Sequence, residues 1–449
     1  MRKGKLKRNT GGPAALVPAV VYTLAAGMFL AVFLMNLREN AAEEQSAGVG
    51  LLLICLAAVV LFSLLAMVYW TRLAKKAIPV PEEDSLTLTV FNVGDGDASL
   101  ITWHRAEKPD VNVLVDTGRG VLLENADPED PWQVPSAYGT AAEHLKELGA
   151  AHLDLLIITH LHQDHMGGME AVLEAAMVDR LLVPYLPPLP ATGFPQKSPA
   201  GECHEEENRL AGLLPLWQKM LSFAAENGTR IEVPDAGREL TVADDFLLRA
   251  ETLSGEDGEG PGGLAGVPSG TREFQNAGGV RMTLLLPGPQ AQDAQKKVYD
   301  TLCAGGTPEE GEWIAASKLR NPASWMQYIA YAGRSILLCG DRYAKTFENV
   351  PMKPVDIVKL PHHGDEKAMT DKLLDRIRPD FAVISCQRYY PEEKDRPNEE
   401  IVRMLQNTGT EVCCTENRKI QGLKKSTKRR IIYTIRESGM IAAQTEDER

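Results

Sequence analysis

The sequence predicts a layered α/β domain preceded by a two-helix transmembrane hairpin. Near the N-terminus, two uncharged stretches are each long enough to cross a bilayer. From residue 85, short β-type runs alternate with helical stretches, a pattern typical of helices packed over sheets. A chain of 449 residues has room for both units.

The two apolar stretches are residues 14–35 and 48–70. As helices, both would span a hydrocarbon core of roughly 30 Å. A secretory signal peptide is the alternative for the first stretch, because basic residues precede it. However, its apolar core is too long, and no small-residue cleavage site separates it from the second stretch. The predicted order is therefore a basic tail, a helix, a loop, a helix and a linker, at residues 1–13, 14–35, 36–47, 48–70 and 71–84.

The charges that flank the hairpin predict its orientation. The loop between the two stretches contains only one basic residue, Arg38. The outer flanks are rich in them: Arg2, Lys3, Lys5, Lys7, Arg8, Arg72, Lys75 and Lys76. Cytoplasmic segments are enriched in Lys and Arg, so we expect a cell-membrane protein whose main domain faces the cytoplasm. The seven cysteines form no CxxC pair, so neither a disulfide framework nor a zinc knuckle is indicated.

The second unit is predicted to be one domain, residues 85–449. The run "LTLTVFNV" alternates strictly as a strand does, and "LDLLIIT" is apolar on both faces, as in a buried strand. Helix-like stretches such as "KAMTDKLLDRIR" lie between the runs. Residues 253–279 are rich in glycine and acidic side chains and predict a mobile loop. Residues 186–208, with five prolines, predict a second irregular segment.

A cluster of metal-type ligands follows the "LDLLIIT" run. In "IITHLHQDHMGG", His160, His162, Asp164 and His165 fall within six positions. Imidazole and carboxylate groups together suit Zn, Mn or Fe. A single histidine here would usually be structural, but four such groups at a strand end are costly without a ligand. The spacing therefore predicts a metal site.

Two further strand ends carry residues of the same type. Asp341 closes "SILLCGD", and His362 and His363 follow "DIVKLP". Taken alone, Asp341 would be interpreted as a turn or N-cap residue, and the paired histidines would be ambiguous. With the first cluster, they indicate that three strand ends converge on one site.

Five segments resemble the metallo-β-lactamase superfamily, and within it the hydrolase domain of the ComEC/Rec2-like competence proteins that internalise DNA. They are "FNVGDGDASLI", "VLVDTG", "THLHQDHMGG", "LLCGD" and "LPHHGD". The resemblance implies an αββα metallo-β-lactamase sandwich with a binuclear metal site at one edge of its two sheets. It also implies hydrolysis by a metal-bound hydroxide on two divalent ions, Zn or Mn, which lower the pKa of water and stabilise negative charge.

The resemblance also implies roles for individual residues. His160 and His162 would hold one metal, Asp164 and His165 the other, and Asp341 would bridge them. His362 or His363 would complete the coordination of the second metal or donate a proton, and which histidine does which stays open. The expected metal set is His160, His162, Asp164, His165, Asp341 and His362. The expected catalytic residues are Asp164, His362 and His363. Residues expected to orient the ligand histidines are Asp95, Asp97 and Asp116.

The chain departs from this family in three ways. Between residues 166 and 340 its only histidine is His204, in a polar setting where we expect it to be exposed. Arg396-Pro397 stands where relatives often have a His-Pro pair. The large multi-span channel region of the true competence proteins is absent from this sequence, so DNA transport by this chain alone is not expected.

A local basic block near the C-terminus bears on the substrate: Arg418, Lys419, Lys424, Lys425, Lys428, Arg429 and Arg430. Charged hairpin turns are common, so a solvated turn is the favoured interpretation. The alternative is a contact with a phosphate backbone, although no stacking aromatic residues interleave the block.

We expect a membrane-anchored metal-dependent phosphodiesterase or nuclease, with nucleic acid or another phosphodiester as substrate. Two alternatives stay open because a fold does not fix a substrate. One is a hydrolase of a small ester, lactone or phosphorylcholine-type molecule. The other is a non-catalytic membrane-bound binding module.

The predicted orientation can be tested with reporter fusions placed after Lys76. Green fluorescent protein should fluoresce there and alkaline phosphatase should be inactive. The reason is the distribution of basic residues: five precede the first helix and three follow the second, whereas the loop between them has one. Fusions placed after Ala47 serve as the control and should behave in the opposite way. Active phosphatase with dark fluorescent protein after Lys76 would reverse the orientation.

Overall fold

The computed structural model describes residues 57–61, 63, 83–94, 96–120, 139–188, 202–253, 279–350, 352–386, 396–417, 423 and 426–447. The first predicted transmembrane helix and nearly all of the predicted loop 253–279 lie outside these residues. Of the second predicted span, only residues 57–61 and 63 are described, and they are helical. Within the described parts of the chain, no helix has the length and apolarity needed to cross a membrane. The chain divides into two compact units, Met1–Val80 and Pro81–Arg449.

Every strand among the described residues lies in the second unit. In chain order they are β1 Ser85–Phe91, β2 Ser99–His104, β3 Val111–Val115, β4 His152–Leu153, β5 Leu155–Ile157, β6 Met177–Val178, β7 Arg180–Leu182, β8 Arg230–Glu232, β9 Glu239–Ala243, β10 Phe246–Thr252, β11 Val280–Leu286, β12 Met326–Tyr331, β13 Arg334–Leu338, β14 Ile357–Lys359, β15 Phe381–Ile384, β16 Glu411–Cys414, β17 Glu416–Asn417, β18 Ser426–Arg436 and β19 Ile441–Asp447.

The helices of the same unit are α1 Ala141–Leu148, α2 Gln163–Met166, α3 Met169–Ala175, α4 Glu202–Glu226, α5 Pro289–Cys303, α6 Glu310–Leu319, α7 Ala344–Phe347, α8 Asp371–Ile377 and α9 Glu399–Asn407. A 3-10 turn spans His362–Gly364. Several helix ends are capped as their sequences predict. Thr140 and Glu143 form a capping box at α1, and Gly149 ends that helix with a left-handed φ of 72°.

Two sheets form the centre of the domain. The first has the order β17-β18-β1-β2-β3-β5-β7-β8, with β19 paired to β18, and the second has the order β16-β15-β14-β13-β12-β11-β10-β9. β3, β5, β7 and β8 run parallel in the first sheet. β13 to β16 run parallel in the second. These two parallel halves matter for function, because the carboxyl ends of parallel strands share one edge of a sheet.

Successive side chains of each strand point to opposite faces of its sheet, so the buried apolar side chains form three layers. Leu88 and Ile101 point between the sheets and pack with Phe246 and Ile336. The opposite face of the first sheet packs against α1, α3, α4, α5 and α6, and Trp217 of α4 is fully buried there. The opposite face of the second sheet packs against α7, α8 and α9. The predicted αββα sandwich is confirmed.

One predicted segment differs. Residues 186–208 were expected to be irregular and His204 to lie in a loop, but α4 begins at Glu202 and includes position 204. The reason is packing. Leu213, Leu214, Trp217, Met220, Leu221 and Ala224 repeat at helical spacing and are buried. This apolar stripe supports a helix that extends N-terminally into the polar residues before it.

Candidate metal centre

The ends of three parallel strands bring the predicted ligands together. β5 ends at Ile157, and Thr159 and His160 follow it. β13 leads into Asp341, and β14 leads into the 3-10 turn at residues 362–364. The two sheets are joined at this edge, because the Trp325 amide donates to the Thr159 carbonyl at 3.2 Å. Side chains from both sheets therefore point into one space.

The first group of donor atoms comprises His160, His162 and Asp341, and its atoms all lie within 4.8 Å of one another. Asp341 Oδ2 is 3.6 Å from His160 Nε2 and 3.9 Å from His162 Nδ1. The two ring nitrogens are 2.7 Å apart. Two histidines of the HxHxDH motif thus face the same carboxylate oxygen.

The second group comprises Asp164, His165, Asp341 and His363. His165 Nε2 is 3.2 Å from Asp341 Oδ1 and 3.9 Å from Asp164 Oδ2. His363 Nε2 is 3.2 Å from Asp164 Oδ2. Asp341 belongs to both groups, with one carboxylate oxygen directed to each.

The donor atoms of both groups fit divalent cations. His165 Nε2 and Asp341 Oδ1 are buried and have no hydrogen-bond partner. A buried polar atom without a partner costs about 1–3 kcal/mol, which a cation between these atoms would offset. Imidazole nitrogen and carboxylate oxygen are the donors that Zn and related ions take in proteins.

Electrostatics keeps the carboxylates of the site ionised. Burial raises the pKa of Asp341, but the adjacent rings of His165 and His162 hold that pKa well below its usual range. Burial likewise opposes ionisation of Asp164, and His165 and His363 lower its pKa well below the ordinary value. Burial, with His165 and His162, holds the pKa of His160 well below its usual value, so its ring is neutral, the form that binds metal.

Neighbouring groups orient three of the histidines. His165 Nδ1 donates to Asp116 Oδ2 at 2.7 Å, and the Thr159 amide donates to the other oxygen of Asp116 at 2.8 Å. His160 Nδ1 lies 3.0 Å from the Thr159 hydroxyl. His363 Nδ1 donates to the Ser385 carbonyl at 3.0 Å. In each ring the other nitrogen faces the donor groups, as in known metal sites. Asp116 therefore contacts the last histidine of the HxHxDH motif.

Ser324 supports the site without any signal in the sequence motifs. Its hydroxyl lies 3.2 Å from His160 Nδ1 and accepts from the Asp341 amide at 3.1 Å. It therefore links a histidine on the first sheet to the carboxylate on the second. Sequence reasoning missed it because a serine before "WMQYIAY" has no distinguishing pattern.

Asp97 has a different partner from the one expected. It was predicted to orient a ligand histidine, but its Oδ2 accepts from Lys359 Nζ, and its Oδ1 is 3.8 Å from His363 Nδ1. Both partners of the ion pair are buried, and a buried lysine needs a counter-charge. Asp95 lies outside the described residues.

Gly96 is required by close packing, because a Cβ there would lie 2.5 Å from the Asp164 carbonyl oxygen.

The two adjacent histidines occupy different positions. His363 is fully buried and belongs to the second donor group, whereas His362, the expected ligand, lies outside it. His362 Nδ1 donates to Asp365 at 2.5 Å, and its Nε2 accepts from Arg396 at 2.7 Å. Both histidines have left-handed φ angles, 48° and 55°. Such strain persists where surrounding contacts fix it, and it clusters at functional sites.

The described part of the basic block is neutralised by acidic residues. Arg429 and Arg430 both pair with Glu147, and Arg430 also pairs with Glu446 at 3.1 Å. Lys428 pairs with Asp447. These three cations therefore stabilise the β18 region, which corrects their interpretation as a track for a phosphate backbone. Arg418, Lys419, Lys424 and Lys425 lie outside the described residues.

Comparisons with known proteins show what the chain is similar to. Residues 91–268 match the model of the metallo-beta-lactamase superfamily. The chain is 23% identical over 336 residues to ComE operon protein 3 of Bacillus subtilis, covering 73% of this chain and 31% of that protein. It is 26% identical over 104 residues to Recombination protein 2 of Haemophilus influenzae, covering 21% of this chain and 13% of that protein. The chain thus spans less than a third of the length of the curated relatives it matches.

Among solved structures, the chain is similar to the metallo-beta-lactamase fold protein YhfI from Bacillus subtilis. The TM-score is 0.33 at 10% identity, over 73% of this chain and 96% of that chain. The resemblance expected from the five motif segments is confirmed by the family model and the two curated relatives.

Metal content provides the first test of the site. We expect the full-length chain, purified without chelators, to contain two divalent ions. His162→Ala should lose metal and the thermal stabilisation that metal gives, because a ligand at 100 times its Kd stabilises the native state by about 2.7 kcal/mol. Elemental analysis and melting curves measure both effects. The control is His104→Ala, at a surface pair with Asp110. Wild-type protein that holds no Zn, Mn or Fe and gains no stability from them would refute the assignment.

The buried Lys359–Asp97 pair provides the second test. Lys359→Met should lower the free energy of unfolding by about 3–5 kcal/mol, because it leaves a buried carboxylate without its partner. Asp97→Asn should also destabilise the chain, and the double variant should be more stable than the sum of the two changes predicts. Urea unfolding of the metal-free full-length chain measures this. Strictly additive effects would show that the two side chains do not interact.

Proposed function

We propose that the metallo-β-lactamase domain carried by this chain is a membrane-anchored hydrolase that uses two divalent cations, Zn or Mn, to cleave phosphodiesters. One observation carries the proposal: the buried carboxylate of Asp341 directs one oxygen to each of two donor groups. A carboxylate between two such groups suits a pair of cations rather than one. The membrane anchor and the cytoplasmic orientation rest on the two apolar N-terminal stretches and their flanking charges.

In this proposal His160, His162 and Asp341 would hold one cation. Asp164, His165, Asp341 and His363 would hold the other. His363 replaces His362 in the expected set because only His363 lies within the second donor group. The cations would supply Lewis acidity, which makes water nucleophilic near neutral pH and offsets charge on the oxygens around phosphorus.

Asp164 would orient the attacking water. Its side chain is 20% exposed, whereas the side chain of His165 is fully buried. The carboxylate therefore borders the solvent from which water and substrate enter. Because Asp164 is held ionised by His165 and His363, it can accept a hydrogen bond from a water and direct the water's lone pair to the substrate.

His362 would donate a proton to the leaving oxygen once its Nε2 is released by Arg396 and Asn321 and has taken a proton from solvent. Asp365 fixes its ring through Nδ1 at 2.5 Å, and Nε2 lies 2.7 Å from Arg396 Nη2. This pairing of carboxylate and imidazole holds one tautomer of the ring. The 14% exposure of the His362 side chain gives it access to solvent protons. A leaving oxygen at this place would be protonated as its bond to phosphorus breaks.

Turnover of a small chromogenic diester, bis-p-nitrophenyl phosphate, provides the third test. The metal-loaded full-length chain should hydrolyse it, and Asp164→Asn should lower kcat about 10²–10⁴-fold while the chain stays folded. Circular dichroism checks the fold, and elemental analysis separates lost metal from lost orientation of water. Asp179→Asn, at a carboxylate that is 57% exposed on the surface, is the matched control.

The substrate class follows from the same assay with single-stranded DNA and RNA at low salt. If the metal-loaded chain cuts the small diester yet leaves both nucleic acids intact, the nuclease version of the proposal fails and a small substrate replaces it. If it cuts none of the three, the chain is not a phosphodiesterase.

A further inference from the structure

Beside the metal centre, two hydrogen-bond donors converge on one acceptor. Arg396 Nη2 lies 2.7 Å and Asn321 Nδ2 lies 3.2 Å from His362 Nε2. The same ring donates through Nδ1 to Asp365, so Nε2 presents a single lone pair. Two donors on one lone pair is more hydrogen-bonding capacity than the histidine can use. The excess donor capacity therefore lies at the turn that carries His362 and His363.

The position of Arg396 is fixed by its neighbours in the chain. The Asn398 amide donates to the Gly364 carbonyl at 2.7 Å, which ties this segment to the turn that carries His362 and His363. A Cβ at Gly364 would lie 3.3 Å from Pro397 Cβ, so the two backbones are in close contact. The Asn398 side chain also accepts from the first amides of α9. The guanidinium therefore projects from an anchored backbone.

Asn321 is fixed in the same way. It is buried, and its amide nitrogen also donates to the Tyr343 hydroxyl at 2.9 Å. The Tyr343 ring lies 5.5 Å from the His362 ring, and Lys367 lies 5.0 Å above the tyrosine ring. A second cation, Lys367, thus lies over the ring that neighbours His362.

An arginine brings a permanent positive charge to this turn. Its guanidinium is always charged and presents a planar set of donors that matches the oxygens of a phosphoryl group. Hydrogen bonds of this kind are about twice as strong as neutral ones. A neutral carboxylic ester or lactone would offer no negative charge in return.

We propose that Arg396 and Asn321 form a binding site for a negatively charged phosphoryl oxygen of the substrate, and that this site selects anionic phosphodiesters over neutral esters. The identity of the reaction rests on the function proposed above, whereas the anion site rests on the contacts of Arg396 and Asn321. A substrate oxygen would take up donor capacity that now converges on His362 Nε2, which leaves that nitrogen available to the leaving group.

Two substrates with one leaving group test the selection. Ethyl p-nitrophenyl phosphate is an anionic diester, and diethyl p-nitrophenyl phosphate is the matched neutral triester. Arg396→Gln in the metal-loaded full-length chain should lower kcat/KM for the diester about 10- to 100-fold, mainly through KM, because one charged donor is lost. Its effect on the triester should stay within about twofold. Arg396→Lys should recover part of the loss, since it keeps the charge but not the planar fork.

The control is Arg403→Gln on α9, where the arginine pairs with Glu399 at 3.6 Å on the surface. Equal losses on both substrates would make Arg396 a residue that only orients His362, and this would overturn the proposal. Unchanged kinetics on the diester would overturn it as well. If the wild-type chain turns over no triester, selection for charge is complete and the binding measurement below decides the role of Arg396.

Inorganic phosphate binding, measured by calorimetry on the metal-loaded chain, separates this proposal from the proposed function. Wild-type protein should bind phosphate, and Arg396→Gln should weaken that binding about 10-fold or more. If no diester is cleaved but this difference is found, the hydrolase proposal fails and the anion site stands. If wild type and Arg396→Gln bind phosphate equally, or neither binds it, the anion site is refuted whatever the turnover.

Discussion

The buried carboxylate of Asp341 is the interaction on which the arrangement of the site depends. It follows β13 of the second sheet, while His160, His162 and His165 follow β5 of the first. Ionising a carboxylate in the interior costs several kcal/mol unless opposite charge or strong donors surround it. Here His162 and His165 supply them, and the pKa of Asp341 falls well below its usual range. The sandwich is therefore closed at this edge by electrostatics as well as by apolar packing.

The order of chemical groups along the chain made much of this site predictable. Each ligand-type residue follows a short apolar run, and parallel strands must bring their carboxyl ends to one edge, so the convergence of His160, Asp164 and Asp341 could be expected. The choice between His362 and His363 could not. It depends on two successive left-handed φ angles, which turn the second ring inward, and a His-His-Gly sequence does not specify them.

Long-range pairing accounts for the other differences between prediction and structure. Asp97 is paired with Lys359, 262 residues away in the chain. The arginines of β18 meet Glu147 over a comparable separation, 282 residues for Arg429. A run of basic residues in a sequence suggests an exposed positive patch because the acidic residues that pair with it are distant in the chain. The start of helix α4 was missed for a local reason. Its first residues are polar, and the buried apolar stripe that indicates a helix begins only at Leu213.

The charge of the whole chain indicates how an anionic substrate would be recognised. The net charge is −13, so the long-range field repels a polyanion, and salt screens charges beyond about 8 Å at physiological ionic strength. Of the described part of the basic block, Arg429 and Arg430 are engaged by Glu147. Arg396 is placed for a short-range interaction, 2.7 Å from His362. Recognition would then depend on the phosphoryl group at the site itself, and the rest of a long nucleic acid would add little affinity.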